Sequence, residues 1–286
     1  MHTFVSIARK LKWLWLLGWI GYIGNPLFSL FFLAAFFMLF DPVFLQSLLQ
    51  TIGVLYINIA NRLNMPSKEN YICKADYILP FCGKWTVFNG GVEKELSHSW
   101  GIPTQRYAYD FVILDDAGKS LDGDNKLVSS YYCYEKEIVA PADGVVVKIC
   151  NKHKDSRVDG KKAYCDALDI RGNHIIVRHN EHEYGVIAHI LQNSFLVNAG
   201  DKVSQGEIIA KCGNSGNTSE PHIHFQLQKG KSFFFSAGLP IAFGNINVRT
   251  KSNYELADPR PCSNNLQTME NKCYIGRGLE VENTNV

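Results

Sequence analysis

The chain has 286 residues, of which 29 are basic and 27 acidic, so its formal net charge is +2. This near balance argues against nucleic-acid binding, which depends on a strongly basic surface. The length suits one anchored domain of ordinary size or two small ones.

Hydrophobicity is concentrated at the N terminus. A basic flank precedes an apolar run from 13 to 40, which only Asn25 and Pro26 interrupt, and a second apolar stretch covers 43–60. The first run is too long for a signal peptide and lacks a small-residue cleavage site, so it predicts a helical membrane anchor. The second could span a bilayer by itself or lie in its interface.

The basic flank consists of Arg9, Lys10 and Lys12. Positive charge beside an apolar span predicts a cytoplasmic N terminus. One span then puts the rest of the chain outside the cell membrane, whereas two spans would put it inside.

After the anchor, short β-rich runs alternate with turn signals, beginning with a first strand around 85–88. No helical apolar period of useful length appears, so this part is predicted to be mainly antiparallel β. The stretch 115–135, rich in Asp, Gly, Lys and Ser, predicts a surface insertion. The apolar and polar blocks divide the chain into an anchor (1–60), a linker leading into the first strand (61–84), a β-rich domain (85–260) and a polar tail (261–286), whose last dozen residues we expect to be frayed.

All eight cysteines follow the apolar region. An even number on one side of a membrane segment fits disulfides in an oxidising compartment, for which Cys73–Cys82 and Cys262–Cys273 are the local pairs. The alternative is a set of small buried thiols.

Three pieces of sequence carry chemistry. A glycine-rich turn at 213–221 leads into His222-Ile-His224, and residues two apart in a strand point to one face, so these histidines project together. His189 lies in an apolar strand, where a histidine alone would be a satisfied core residue. Asp110 lies among aromatic and aliphatic neighbours, and a buried carboxylate needs a cation or several donors.

Together these residues indicate a mixed histidine and carboxylate site with an open position, as in catalytic zinc centres. Zinc would acidify a bound water and polarise a carbonyl, and neutral histidines nearby would take up and return the proton. The remaining histidines of the soluble part are predicted to be solvated: His153, His174, His179 and His182.

Residues 85–228 resemble the lysostaphin/LytM-type zinc endopeptidases, which hydrolyse peptide cross-links or stems of peptidoglycan. The matching motifs are 140–146, 197–206 and 213–225. The resemblance implies a compact antiparallel β-sheet metallopeptidase domain, lysostaphin-like and related to barrel-sandwich folds, with the site in a groove on one sheet. It also implies that Asp110 and His224 bind Zn²⁺, and that His189 and His222 are the catalytic partners.

One position departs from the family pattern. The first metal ligand is usually a histidine four residues before the aspartate, and that position here is Arg106, which stays protonated and cannot bind zinc. The nearest upstream candidate is His98, twelve residues before Asp110. We therefore expect His98, Asp110 and His224 to form the metal site.

The resemblance implies a membrane-anchored, zinc-dependent endopeptidase that acts on stem or cross-link peptides of bacterial peptidoglycan. Its partners would be these peptides and, through the N-terminal segment, the lipid bilayer, with the catalytic domain on the extracytoplasmic side of the cell membrane. The alternative is an inactive relative that serves as a cell-wall binding or regulatory module. A third possibility is a biotinyl- or lipoyl-like carrier, whose modified residue would be Lys202.

Overall fold

The computed structural model describes residues 2–62, 64–263, 266–269 and 271–284. Helices occupy the N-terminal part: α1 (His2–Leu11), a 3₁₀ segment Lys12–Leu17, α2 (Gly18–Ile23), a 3₁₀ segment Pro26–Phe40 and α3 (Pro42–Ala60). Farther along are a 3₁₀ turn (Val128–Ser130) and α4 (Tyr254–Ala257).

The first apolar run forms two arms of a hairpin. The chain breaks at Gly24 and Asn25, and the segment Pro26–Phe40 packs back on the helices before it. Asn25 precedes a proline, which disfavours helical backbone, and its side chain accepts a hydrogen bond from the Leu27 amide at 3.0 Å, starting the second arm. Within the described residues, one helix, α3, is long and apolar enough to cross a membrane.

The basic flank lies beside the β domain. The Arg9 guanidinium donates hydrogen bonds to the carbonyls of Cys165 and Ala167, at 3.0 and 3.4 Å. It also pairs with the buried Asp41, as does Lys12. A single span would put the flank and the domain on opposite sides of a membrane, whereas in this structure carbonyls of the domain bind the flank.

The remainder is mainly antiparallel β, as predicted. The strands are β1 (Trp85–Asn89), β2 (Tyr109–Val112), β3 (Glu137–Val139), β4 (Gly144–Cys150), β5 (Tyr164–Cys165), β6 (Asn173–Arg178), β7 (Tyr184–Ile190), β8 (Lys202–Val203), β9 (Ile208–Lys211), β10 (Asn217–Thr218), β11 (Ile223–Gln228), β12 (Gly238–Leu239), β13 (Phe243–Gly244), β14 (Ile246–Thr250), β15 (Gln267–Met269), β16 (Lys272–Tyr274) and β17 (Leu279–Asn283). The main sheet has the order β14-β17-β1-β2-β11-β7-β6-β4-β8, and β12 also pairs with β11.

One face of the main sheet forms the core. Alternate residues of β2 and β11, such as Tyr109, Phe111, Ile223 and Phe225, are buried in it. Burial of such side chains contributes about 1.5–3 kcal/mol each. The intervening positions face the other side, where the polar residues of these strands collect.

The segment before β1 packs into the same core, since Tyr77, Leu79 and Phe81 are fully buried. A buried carboxylate, Glu183, holds this segment in place. Its oxygens accept hydrogen bonds from five donors: the hydroxyls of Tyr71 and Tyr77, the amides of Lys74 and Ala75, and the Asn180 side chain.

The C-terminal segment forms part of the sheet. Strand β17 pairs with β1 and β14, and its Leu279 and Val281 lie in the core. The predicted polar, frayed tail is therefore wrong for this strand. Its alternation of leucine and valine with polar residues is the pattern of a strand with one buried face.

All eight cysteines lie among the described residues, and all are free thiols. Neither local pair suggested by the sequence is bonded. Cys133 and Cys212 are fully buried, and their thiols donate hydrogen bonds to the carbonyls of Pro221 and Gly213. Two of the histidines predicted to be solvated, His153 and His174, are also buried.

Candidate metal centre and catalytic site

The site lies on three neighbouring strands. In the register of the sheet, Asp110 of β2 is opposite His224 of β11, which is opposite Ala188 of β7. Directly opposed residues on antiparallel strands have their Cβ atoms about 5 Å apart, so backbone pairing brings the carboxylate and the imidazole together.

Three imidazoles surround the buried Asp110 carboxylate. His224 Nδ1 lies 2.9 Å from Oδ1, His222 Nε2 3.6 Å from Oδ1, and His98 Nδ1 3.6 Å from Oδ2. The Asn89 amide donates a hydrogen bond to Oδ2 at 3.1 Å. Burial raises the pKa of Asp110, but the facing imidazoles outweigh it and hold the pKa well below its usual range.

His98 is carried into the site by a loop that Arg106 closes. Ser97 Oγ donates a hydrogen bond to the Arg106 carbonyl at 2.8 Å, and Arg106 Nε donates to the Trp100 carbonyl at 3.2 Å. The guanidinium also lies over the Trp100 ring, 5.1 Å from its centroid. The arginine at the usual ligand position therefore points away from the carboxylate and braces the loop that supplies His98.

His189 reaches the site through a break in strand alternation. Ile187 of β7 belongs to the core face, so simple alternation would turn His189 inward as well. Its backbone instead has φ 63°, and the pairing of β6 with β7 shifts register opposite it. Such a conformation is strained for a residue other than glycine and is typical of functional sites.

The glycine-rich turn supports this placement. A Cβ on Gly213 would lie 2.5 Å from the Leu191 amide nitrogen, and one on Gly216, at φ +95°, 2.4 Å from the Gly172 nitrogen. Only glycine permits this approach. The turn thereby brings the Ser215 carbonyl to 2.7 Å from His189 Nδ1.

The two histidines outside the predicted ligand set share one hydrogen-bond pattern. His189 Nδ1 donates to the Ser215 carbonyl, and His222 Nδ1 donates to the Glu220 carbonyl at 2.8 Å. Because a carbonyl oxygen only accepts, Nδ1 carries the proton and a neutral ring has its lone pair on Nε2. The centroids of the His189 and His222 rings are 4.6 Å apart. Burial, followed by the neighbouring His222 and His224, holds the pKa of His189 well below its usual value.

A polar ladder continues along β11 beyond the histidines. His224 Nε2 donates to Gln226 Oε1 at 3.0 Å, and Gln226 Nε2 donates to the Thr104 carbonyl and to Gln228 Oε1. The two donor bonds fix which end of the Gln226 amide faces His224. The sequence analysis missed these glutamines, although residues 222, 224, 226 and 228 are all polar, with apolar residues between them.

The residues fit a bound zinc ion by their chemistry. Two imidazole nitrogens and one carboxylate face each other, and within the described part of the chain the ion-pair partners of Asp110 are imidazoles only. Gln226 takes the Nε2 proton of His224, which leaves Nδ1 as the nitrogen available to a metal.

As the side chains stand, no three His, Cys, Asp or Glu residues of the described ranges form a ready metal site. The separation of 2.9 Å between His224 Nδ1 and Asp110 Oδ1 is a hydrogen-bond distance. A bound ion would replace this hydrogen bond, because its two atoms are ones that could bind zinc.

The site opens into a groove with a cavity of ≈ 420 Å³. Its walls come from the His98 loop, the 217–219 turn, Phe233 and helix α3. A larger cavity of ≈ 770 Å³ lies beside it, lined largely by the 115–135 insertion, and contains no imidazole in its lining.

Comparisons with known proteins bear on this arrangement. The model of Peptidase family M23 matches residues 128–234, a range that contains His189, His222 and His224 but begins after His98 and Asp110. The chain is 30% identical over 90 residues to an uncharacterized metalloprotease of Haemophilus influenzae; the alignment covers 32% of this chain and 15% of that protein. The chain therefore spans a minor part of that relative's length.

Solved structures with a similar fold include the catalytic domain of the antimicrobial peptidase lysostaphin from Staphylococcus simulans, at 18% identity and a TM-score of 0.33, covering 55% of this chain and 88% of that one. A zinc-containing peptidase from Vibrio cholerae matches at 17% identity and a TM-score of 0.36, covering 58% and 39%. The resemblance to lysostaphin-type metallopeptidases inferred from the sequence is confirmed by the match of residues 128–234 to the model of Peptidase family M23.

Proposed function

We propose that the protein is a zinc-dependent endopeptidase that hydrolyses peptide bonds of bacterial peptidoglycan. The observation that carries this proposal is the convergence on Asp110 of three imidazoles, His98 from a distant loop and His222 and His224 from the start of β11. The match to Peptidase family M23 supports metallopeptidase chemistry. The peptidoglycan substrate rests on the resemblance to lysostaphin-type enzymes.

His98, Asp110 and His224 would hold the zinc ion, which would polarise the scissile carbonyl and acidify a water molecule. His189 and His222 each hold a proton on Nδ1 against a backbone carbonyl and present Nε2 to the site. The lowered pKa of His189 keeps its ring neutral near pH 7, so Nε2 can accept a proton from water and return it to the leaving amine.

The N-terminal helices support attachment to a membrane, since α3 is strongly apolar and exposes several large apolar side chains. We place the catalytic domain on the extracytoplasmic side because peptidoglycan lies there. The Arg9 contact then requires the N-terminal flank to lie on that side too. Protease digestion of intact spheroplasts tests this: loss of both the domain and an N-terminal tag supports it, and protection of both refutes it.

The rival is an inactive relative that binds or regulates at the cell wall. The direct hydrogen bond between His224 and Asp110 favours it, because this bond satisfies both groups without a metal. Metal content separates the two proposals.

Zinc should be present at about one ion per chain and should be lost in His98→Ala. The matched control is His182→Ala, which removes a histidine exposed on a turn. His189→Ala should keep its zinc but no longer release amines from purified cell walls. Wild-type protein without zinc supports the inactive relative, and zinc-loaded protein that releases no amine overturns the hydrolase.

A further inference from the structure

Helix α3 lies along the side of the β domain. The Gln46 side chain donates to the Leu168 carbonyl at 2.7 Å and accepts from the Ile170 amide at 3.1 Å, so it pairs with the backbone as a neighbouring strand would. About two turns later, a Cβ on Gly53 would lie 1.9 Å from the Phe234 carbonyl oxygen. The helix therefore touches the domain backbone at two separate places.

These contacts lie on one face of the helix. Gln46, Gln50, Gly53 and Ile57 are spaced by four, three and four residues, which aligns them along one stripe. Gly53 and Ile57 are the buried residues of α3. With Val43 at the start, the contact face runs for about 21 Å. The helix is docked lengthwise and not by its end.

The same face forms one wall of the catalytic groove. Val43, Ser47 and Gln50 line the cavity that contains Asp110 and the imidazoles. Ser47 Oγ donates to the Val43 carbonyl, whereas the Gln50 amide makes no hydrogen bond to another described residue. A peptide in the groove would therefore meet an amide group with a free donor and a free acceptor.

The opposite face of α3 is apolar and exposed. Its large exposed residues are Leu45, Leu48, Leu49, Ile52, Leu55 and Ile59, and at its edge the exposed Tyr56 ring packs against Phe235. Exposed apolar area of this extent on one face is typical of contact with a membrane.

Docking and spanning exclude each other. If α3 crossed the bilayer, Gly53 and Gln46 would lie within the hydrocarbon, and the irregular backbone of residues 168–170 and 234 would have to enter it as well. Each unsatisfied backbone group there costs several kcal/mol. Arg9, which precedes the apolar region, binds the domain close to the same place, at the carbonyls of Cys165 and Ala167.

We propose that α3 lies flat in the membrane interface, with its apolar face in the lipid and its Val43–Gln50 side forming a wall of the substrate groove. The groove then opens one helix diameter, about 10 Å, from the lipid. Gln50 contacts the backbone of the bound peptide and is a substrate-binding residue. The groove part of this proposal rests on the proposed endopeptidase function.

Tryptophan quenching in vesicles tests the orientation. Leu45→Trp, Ile52→Trp and Ile59→Trp place one new ring at successive points of the same exposed stripe, in the full chain. The wild-type signal, from five native tryptophans, is subtracted. Lipids brominated near the headgroup should quench all three equally, and lipids brominated near the chain end should quench none strongly. Deep quenching confined to Ile52→Trp would show a spanning helix, and absence of quenching would show a helix outside the lipid; either overturns the proposal.

Substitutions on α3 test the groove wall. Gly53→Leu forces the helix away from Phe234, so it should lower kcat/KM for wall peptides about tenfold while zinc content stays at the wild-type level. The matched control is Thr51→Leu, an exposed position nearly opposite Gly53 on the helix, which should change nothing. Gln50→Ala should raise KM about fivefold with kcat unchanged.

Unchanged kinetics in both Gly53→Leu and Gln50→Ala would overturn the groove wall. Wild-type protein that has neither zinc nor hydrolytic activity would refute the endopeptidase and with it the role of Gln50. The quenching pattern does not depend on activity, so failure of the helix orientation is distinguishable from failure of the function.

Discussion

The Gln226 amide offers a sharp test of the metal centre. It is 1% exposed and makes three hydrogen bonds, one of which accepts the Nε2 proton of His224. Gln226→Leu removes this acceptor at nearly constant volume. Without it, the proton of a neutral His224 ring is no longer held on Nε2 and can occupy Nδ1, the nitrogen that faces Asp110.

Loss of such a hydrogen bond to a metal-binding histidine typically lowers metal affinity 10–100-fold, or about 1.4–2.7 kcal/mol. The substitution also leaves the Thr104 carbonyl and Gln228 Oε1 without a donor, at about 1–3 kcal/mol of folding stability for each group. Zinc affinity is measured by competition with a chromophoric chelator, and stability by urea unfolding of the metal-free protein.

The matched control is Gln228→Leu. Gln228 is also a buried amide on the same face of β11, but its partners are Gln226 and the Gly230 carbonyl, not the histidine. This variant should lose stability comparably while keeping its zinc affinity. Wild-type affinity in Gln226→Leu, or an equal loss in both variants, would refute the assignment of His224 Nδ1 as a metal ligand.

Three further predictions follow from other contacts. Hydrogen bonds outweigh burial and hold the pKa of the Glu183 carboxyl below its ordinary value of 4.5, so the stability that it contributes is present above that pH and is lost as pH falls through the lowered value. Glu183→Gln should lower the free energy of unfolding by about 2–4 kcal/mol at pH 7 and flatten the acid side of the stability profile. An unchanged profile would contradict this. Gly216→Ala should cost more than about 2 kcal/mol in thermal unfolding, because of its positive φ and the Gly172 backbone, whereas Gly101→Ala, with open space around it, should be neutral. Arg106→Leu should loosen the His98 loop and weaken zinc binding about three- to tenfold, with little change in folding stability. An unaltered zinc affinity would show that the loop does not depend on Arg106 for its conformation.

Local pattern was sufficient to predict much of the site. Period-two alternation places His222 and His224 on one face, and the structure puts both within 3.6 Å of Asp110. The position of Asp110 on the other face of the sheet could also be predicted, because its neighbours Tyr109 and Phe111 are aromatic and point into the core. These inferences needed only the geometry of a single strand.

Other features depend on contacts between distant segments. His189 lies off the alternation of β7, because its backbone is held at φ 63° by the turn that follows β9. Likewise, the burial of His153, His174, Cys133 and Cys212 depends on which strands become neighbours. A charged or turn-rich local context indicates exposure only when no other segment covers it, and sequence spacing alone does not determine that.

Helix α3 shows the same limit most clearly. Hydropathy measures only the composition of a segment, and by that measure residues 42–60 qualify as a membrane span. Whether it crosses a bilayer depends on the free energy of its alternatives, and here the domain offers hydrogen bonds to Gln46 and close backbone contact at Gly53. A glutamine and a glycine seven residues apart, in an otherwise apolar helix, give it a face that lipid cannot satisfy as well as protein does. The polar and small residues of such a helix therefore predict its orientation better than its mean hydropathy does. In this chain, Gln46 and Gly53 place the helix against the domain, beside the groove.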